Sequence, residues 1–172
     1  MLSAVTFLAD PGAPDAIDRL ADTLSALVAG VAAGLVGDAV IVAPPGDAEL
    51  TAVAEATGAT LAAYRGGNPF AAGAALARRD WVLCLEAGDV PADGWIRTLD
   101  RFVGTARPGT GLGRLRRPGA GLSARAVARI EARFGARTAR AGDVVRRDNL
   151  RAGLPFKPRL RVRPLIARID RA

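Results

Sequence analysis

The sequence predicts an α/β fold, a mostly parallel sheet with helices on both faces. Three observations predict it. Short apolar runs recur along the first hundred residues, each is followed by a stretch of helical period, and Gly, Pro and Asp clusters separate the two. Such alternation marks strand–helix units joined by right-handed crossovers, whose strands are parallel and buried. Half of the 172 residues are apolar and 24% are charged, which suits one packed core and does not read as disorder.

Residues 2–8 form an apolar run with Val5 and Phe7, closed by Asp10-Pro11-Gly12, and read as a buried first strand. Asp15 then precedes Ile17, Leu20, Leu24, Leu27, Val28 and Val31, spaced along one helical face. Asp15, Asp18 and Asp22 favour the dipole-positive end of that helix. A second strand over 39–43 is stopped by Pro44-Pro45-Gly46, and Asp47 can cap a helix carrying Leu50, Val53 and Ala54 that ends at Gly58. Residues 59–64 predict a third strand. The stretch 69–79 predicts a helix whose small face (Ala72, Gly73, Ala75, Leu76) allows close packing on a sheet. Residues 81–85 predict a fourth strand, and Pro91 suits the first turn of a helix carrying Trp95, Leu99 and Phe102.

Beyond Gly104 the pattern loosens. Residues 107–121 are rich in Gly, Pro and Arg and read as loops around a short strand. Ser123 can cap a helix with Val127, Ile130 and Phe134 inward, arginines 125, 129 and 133 on another stripe, and Gly135 as terminator. Residues 143–151 read as helical. In the tail, alternation of Arg159, Arg161 and Arg163 with Leu160 and Val162 favours an edge strand or extended arm. The expected organisation is an α/β core over 1–103 and a basic, Arg-rich α+β part over 104–172, packed on the same domain.

Charge divides along the same line. Residues 1–100 hold 5 Arg against 13 acids, whereas 101–172 hold 19 Lys and Arg against 4 acids, net −8 and +15. The basic half is expected to meet an anionic surface such as lipid headgroups. An arginine-rich genome composition explains the choice of Arg over Lys more readily than it explains the clustering. The arginine stripe lacks interleaved aromatics and matches no nucleic-acid-binding motif, which argues against nucleic acid as partner. Asp10 ends the first apolar run with no basic segment before it, so a secretory signal is not expected. Residues 24–45 are interrupted by glycines and Asp38, which does not suit a membrane span. The expected location is the cytoplasm, with a peripheral station at the inner membrane face.

The chain has no His and a single Cys, Cys84, which excludes Ser-His-Asp and Cys-His nucleophiles, Cys/His zinc sites and a disulfide framework. Cys84, between Leu83 and Leu85, reads as a small core residue, and Trp81 and Trp95 as core anchors. No phosphate-binding glycine fingerprint is present; Gly109-Thr110-Gly111-Leu112-Gly113 has the wrong spacing. Ligands of open α/β sheets collect beyond the carboxyl ends of the strands, which directs attention to the loops 9–14, 43–47, 65–69 and 86–91. In the last, Glu86 and Asp89 leave a buried strand together around Gly88. Carboxylates so placed can hold Mg²⁺ or Mn²⁺ with a diphosphate completing the coordination; they can equally serve as helix caps.

Residues 65–89, from Arg65-Gly66-Gly67-Asn68-Pro69-Phe70 through the Ala-rich helix to Leu83-Cys84-Leu85-Glu86-Ala87-Gly88-Asp89, resemble the family 2 glycosyltransferases. Gly94-Trp95 fits the same wording, and the similarity covers residues 2–103. The resemblance implies the nucleotide-diphospho-sugar transferase fold and transfer of a sugar from a nucleotide-diphosphate donor with Mg²⁺ or Mn²⁺. It implies Glu86 and Asp89 as metal ligands, Asp10, Arg65 and Gly66 as donor contacts, and Asp143 as catalytic base. Departures accompany it. Gly88 stands where the family's metal turn has its second acid, Ala43 where a base-reading Asp is usual, and the Pro-x-x-Asn wording after the first strand is missing. A catalytically inactive transferase-like binding domain is the alternative that these substitutions imply.

Overall fold

The computed structural model describes residues 1–106, 111–118, 127, 129–131, 133–152 and 155–172. Strands β1 (Leu2–Phe7), β2 (Val36–Ala43), β3 (Thr60–Ala63) and β4 (Trp81–Glu86) alternate with helices α1 (Ala16–Ala32), α2 (Ala48–Thr57) and α3 (Pro69–Leu76). Then follow β5 (Asp89–Pro91), α4 (Trp95–Thr105), β6 (Leu112–Arg116), β7 (Asp143–Arg146), α5 (Arg147–Arg151) and β8 (Val162–Arg171). Among the described residues these strands form one eight-stranded sheet in the order β3-β2-β1-β4-β7-β6-β8-β5.

The first four strands are parallel, as expected, with β1 paired to both β2 and β4. β1 and β4 are buried up to their last residues, Phe7 and Glu86, because helices cover both faces. On one face α3 and α5 pack over Val5, Val42, Val82 and Cys84. On the other, α1 and α4 pack over Ala4, Leu83 and Leu85 through Leu27, Trp95, Leu99 and Phe102. α3 approaches the sheet through Phe70, Gly73 and Ala74 rather than through the whole small face; Leu76 is exposed. Asp47 caps α2 by accepting the Leu50 N–H at 3.0 Å, and Asn68 caps α3 through the N–H groups of Phe70 and Ala71.

Several expectations are corrected beyond β4. Pro91 does not begin a helix; it ends β5, which pairs antiparallel with the end of β8, and α4 starts at Trp95. Residues 143–146 are a strand antiparallel to β4, not helix, and helix is confined to Arg147–Arg151. The tail is not an edge. β8 lies between β6 and β5; Val162 is buried on one face of the sheet, and past Pro164 the buried positions switch to Leu165, Ala167 and Ile169 on the other. Val28 and Val31 of α1 are exposed, since α1 buries Ala16, Leu20, Thr23, Leu27 and Gly30 instead. Val127, Ile130 and Phe134, expected inward, are exposed too. The proposed Ser123 cap lies outside the described residues.

A buried ion network ties the second half of the sheet together. Arg114 of β6 donates from Nε and Nη2 to the two oxygens of Asp143 of β7 at 2.6 and 2.9 Å, and from Nη1 to Glu131. Arg140 also pairs with Glu131. Asp143 is fully buried and Arg114 nearly so. Removing one member strands the others without solvent, and a broken buried pair costs about 3–5 kcal/mol. Arg114→Met should lower the unfolding free energy by that amount, read from the urea midpoint. The packing of α3 makes a second expectation. A Cβ on Gly73 would overlap Val5 Cγ1 and sit 2.9 Å from Val42 Cγ2, whereas one on Gly104 meets nothing within 4 Å. Gly73→Ala should therefore cost about 1–3 kcal/mol by overpacking, and Gly104→Ala should stabilise by about 0.5–1 kcal/mol, both by the same titration.

Candidate functional site

The strand order 3-2-1-4 reverses the direction of winding between β1 and β4, and such a switch point opens a crevice at the carboxyl edge. A cavity of about 330 Å³ lies there, walled by Phe7 to Asp10 at the exit of β1, Ala13 and Arg19 before and within α1, Glu86 and Ala87 at the exit of β4, and Arg171 from the end of β8. It combines two carboxylates with two guanidinium groups. Asp10 accepts the Gly12 N–H at 3.1 Å, which orients its side chain at the start of the loop. Arg19 pairs with Asp15 at 3.3 Å, and its Nε is buried without a hydrogen-bond partner among the described residues. Arg171 donates from Nη1 to Glu86 at 3.1 Å.

The turn carrying Glu86 is held from three sides. Ala87 N–H donates to Phe7 C=O at 2.9 Å, and Gly88 N–H is shared between Arg19 C=O and Thr23 Oγ1, each at 2.9 Å. Gly88 C=O in turn accepts from Ala172 N–H at 2.8 Å. Gly88 has φ +94°, a conformation that side chains rarely adopt, so the turn requires glycine.

This turn sends Glu86 and Asp89 in different directions. Glu86 reaches the cavity with a side chain 41% exposed. Asp89 is fully buried and is not on the cavity wall. Its Oδ2 accepts the Glu86 N–H at 2.8 Å and an ion pair from Arg117, while Oδ1 has no partner among the described residues. Burial raises the Asp89 carboxyl above its ordinary value of 3.8, outweighing the Glu86 N–H and the Arg117 charge that lower it. Asp89, expected as a metal ligand, is thus engaged as a latch inside the turn. Asp143, expected as a base, lies beside Cys84 on the neighbouring strand, closed off by Arg114 and by the Arg140 N–H at 3.1 Å. Its carboxyl is likewise raised, by burial above all.

Arg65 and Gly66 occupy the loop after β3 and share the carboxyl edge, two strands from β1, or about 10 Å at the usual strand spacing. Both are exposed and neither lines the cavity. Between them and the cavity stand Phe7 and Tyr64, edge to face at a centroid distance of 4.9 Å, with Tyr64 Oη donating to Gly67 C=O at 3.0 Å. Sequence reasoning missed Arg19, Arg171 and this aromatic pair. Arg19 carries a weak signal, a lone arginine on an otherwise acidic first helix. Arg171 carries none, because its arrival depends on β8 crossing the sheet.

Oxygen donors that a hard cation could use from the cavity are Glu86 and Asp10. Among the described residues no group of three or more His, Cys, Asp and Glu could hold a metal ion. Mg²⁺ or Mn²⁺ at phosphate sites uses one or two protein carboxylates, with phosphates and water completing the shell, so this donor set fits such an ion.

No protein-family model matches the chain, and no curated protein matches it. Solved structures do. Glucosyl-3-phosphoglycerate synthase from Mycobacterium tuberculosis, in complex with Mn²⁺, UDP and phosphoglyceric acid, superposes with a TM-score of 0.57 at 16% identity, over 86% of this chain and 56% of that one. The same enzyme with Mg²⁺ and UDP gives 0.56 at 14% identity, over 86% and 57%. A mycobacterial protein gives 0.55 at 15% identity, over 99% of this chain and 65% of that one. The chain therefore spans a little over half the length of the synthase. The superposition over 86–99% of this chain shows that it has the nucleotide-diphospho-sugar transferase fold.

Proposed function

We propose that the chain binds a nucleotide-diphosphate sugar in the cavity at the β1/β4 edge and transfers the sugar to an acceptor. The single observation that carries the reading is the cavity itself, where Arg19 and Arg171 stand with Glu86 and Asp10 at the switch point of a transferase fold. Guanidinium groups recognise phosphate oxygens through paired N–H donors, and Arg19 and Arg171 place two such groups on the cavity wall. Glu86 and Asp10 would hold Mg²⁺ or Mn²⁺, whose charge would neutralise the diphosphate as it leaves. Phe7 and Tyr64 offer a ring surface toward Arg65 and Gly66, on which a nucleoside extending along the edge would rest.

A second reading, a domain that binds the donor without transferring it, is favoured by Asp143. To accept a proton, Asp143 would first have to leave Arg114, and the network around it is buried. We also propose that the basic half draws the protein to an anionic membrane surface. Arg129, Arg133, Arg137, Arg151, Lys157, Arg159, Arg161 and Arg163 are all exposed. No helix among the described residues is long and apolar enough to cross a membrane.

Isothermal titration with UDP and UDP-glucose, with and without Mn²⁺, tests donor binding, and product analysis with candidate acceptors separates the two readings. Binding of neither nucleotide, with or without the ion, would remove the proposal. Glu86→Gln should weaken Mn²⁺-dependent nucleotide binding roughly tenfold, the loss of one charge-assisted contact worth about 1.4 kcal/mol.

Asp89→Asn should leave Mn²⁺-dependent binding in place, because Asn keeps an acceptor for the Glu86 N–H. It should instead change stability against pH. A carboxyl whose folded pKa is raised binds more protons folded than unfolded, so its contribution falls as pH rises from about 3.8 through the raised value. Melting curves of the two proteins should therefore converge at acid pH, with Asn gaining relative to Asp as pH rises toward neutrality. Loss of Mn²⁺-dependent binding in this variant would restore Asp89 as a metal ligand.

A further inference from the structure

The helical residues before Gly135 present an apolar surface that the fold leaves bare. Val127, Ile130 and Phe134 follow one another at three- and four-residue spacing, on one face of the helix, and are 45%, 57% and 59% exposed. Glu131, four residues after Val127 and three before Phe134, borders the stripe on the same side of the helix and reaches into the ion network with Arg114 and Arg140, so the exposed row runs along the margin where this segment meets the protein. Arg129 and Arg133 are exposed beside the stripe, and the Arg133 guanidinium lies 5.9 Å from the Phe134 ring centroid. After Gly135 the chain pairs Ala136 with Leu160, which brings the exposed Arg159 next to the end of the stripe. A row of apolar side chains bordered by arginines is the pattern of a helix lying in a lipid interface, its rings and branched chains among the acyl chains and its guanidinium groups at the phosphates.

We propose that Val127, Ile130 and Phe134 insert into the surface of an anionic bilayer, with Arg129, Arg133 and Arg159 holding the headgroups. The inference rests on the reading of the basic half as a membrane-directed surface and adds an insertion site to it. Charge complementarity selects the occupant: the arginines around the stripe call for phosphate, and lipid supplies phosphate and hydrocarbon at the depth spacing of one helix. Attraction by charge alone is screened by salt, whereas apolar insertion survives it.

The test uses the full chain with vesicles of phosphatidylcholine and phosphatidylglycerol, at low and high salt. Insertion predicts that part of the binding persists at high salt, and that Ile130→Ser with Phe134→Ser lowers vesicle partitioning about tenfold or more, since two exposed apolar groups no longer enter the interface. It also predicts that Phe134→Trp is quenched by lipids brominated in their acyl chains, a signal that the native Trp81 and Trp95 do not give because both are buried. Should the double Ser variant fail to fold, the quenching alone decides. Binding that vanishes at high salt, with no quenching and no effect of the Ser substitutions, overturns insertion while leaving the electrostatic reading standing. Absence of vesicle binding at low salt overturns both. A wild-type dimer in light scattering that the double variant abolishes also overturns the proposal, because a second copy then covers the stripe.

Discussion

The turn at the end of β4 is the constraint on which the candidate site depends. Its residues meet demands that only the assembled sheet can satisfy. Gly88 adopts a backbone conformation open to glycine, its N–H is divided between two acceptors on α1, and its carbonyl is met by the last residue of the chain. Thr23, buried in α1, exists in this fold chiefly to take that N–H while donating to Arg19 C=O at 3.1 Å. With the turn fixed, Glu86 points to the crevice and Asp89 folds beneath it. Two acids three residues apart therefore have opposite fates, one solvated and one enclosed.

Electrostatics across the molecule follows a single arrangement. The acidic first half contributes strands and helices, and the basic second half returns across the sheet to supply cations where acids have been buried or half-buried. Arg117 meets Asp89, Arg171 meets Glu86, and Arg114 and Arg140 meet Asp143 and Glu131. Arg117 and Arg171 thus come from later in the chain to meet Asp89 and Glu86, whereas Asp10 at the same edge accepts the Gly12 N–H. Enclosed pairs of this kind gain less than their Coulomb attraction suggests, because both ions lose water; where both partners are enclosed, as at Arg114 and Asp143, removing the cation is costly. They also set the character of the crevice, where Arg19 and Arg171 stand against Asp10 and Glu86.

The relation to the solved transferases is one of fold. The chain superposes over most of its length on little more than half of each synthase structure, at identities of 14–16%. What passes across such a distance is the geometry of the switch point, since strand order is set by crossover handedness and burial rather than by particular side chains. The crevice is lined by Asp10, Arg19, Glu86 and Arg171, while Asp89 and Asp143 lie buried away from its wall.

By itself the sequence determined the parallel half of the sheet. Apolar runs bounded by Pro, Gly and Asp place β1 to β4 within a few residues, because burial leaves a continuous hydrophobic signal in β1 and β4, and capping by Asp47 is written in neighbouring residues. Glu86 at the end of β4 was legible for the same reason. The tertiary structure alone decided the rest. Residues 143–146 pair with β4 because a vacant strand edge lies there, β8 enters between β6 and β5, and Pro91 joins β5, all through contacts between residues far apart in the chain. No local pattern encodes that Arg117 seals Asp89, that Arg114 encloses Asp143, or that Arg171 arrives beside Glu86. The Arg171 pairing depends on where β8 crosses the sheet and the Arg114 pairing on β6 lying beside β7, neither of which spacing along the chain records.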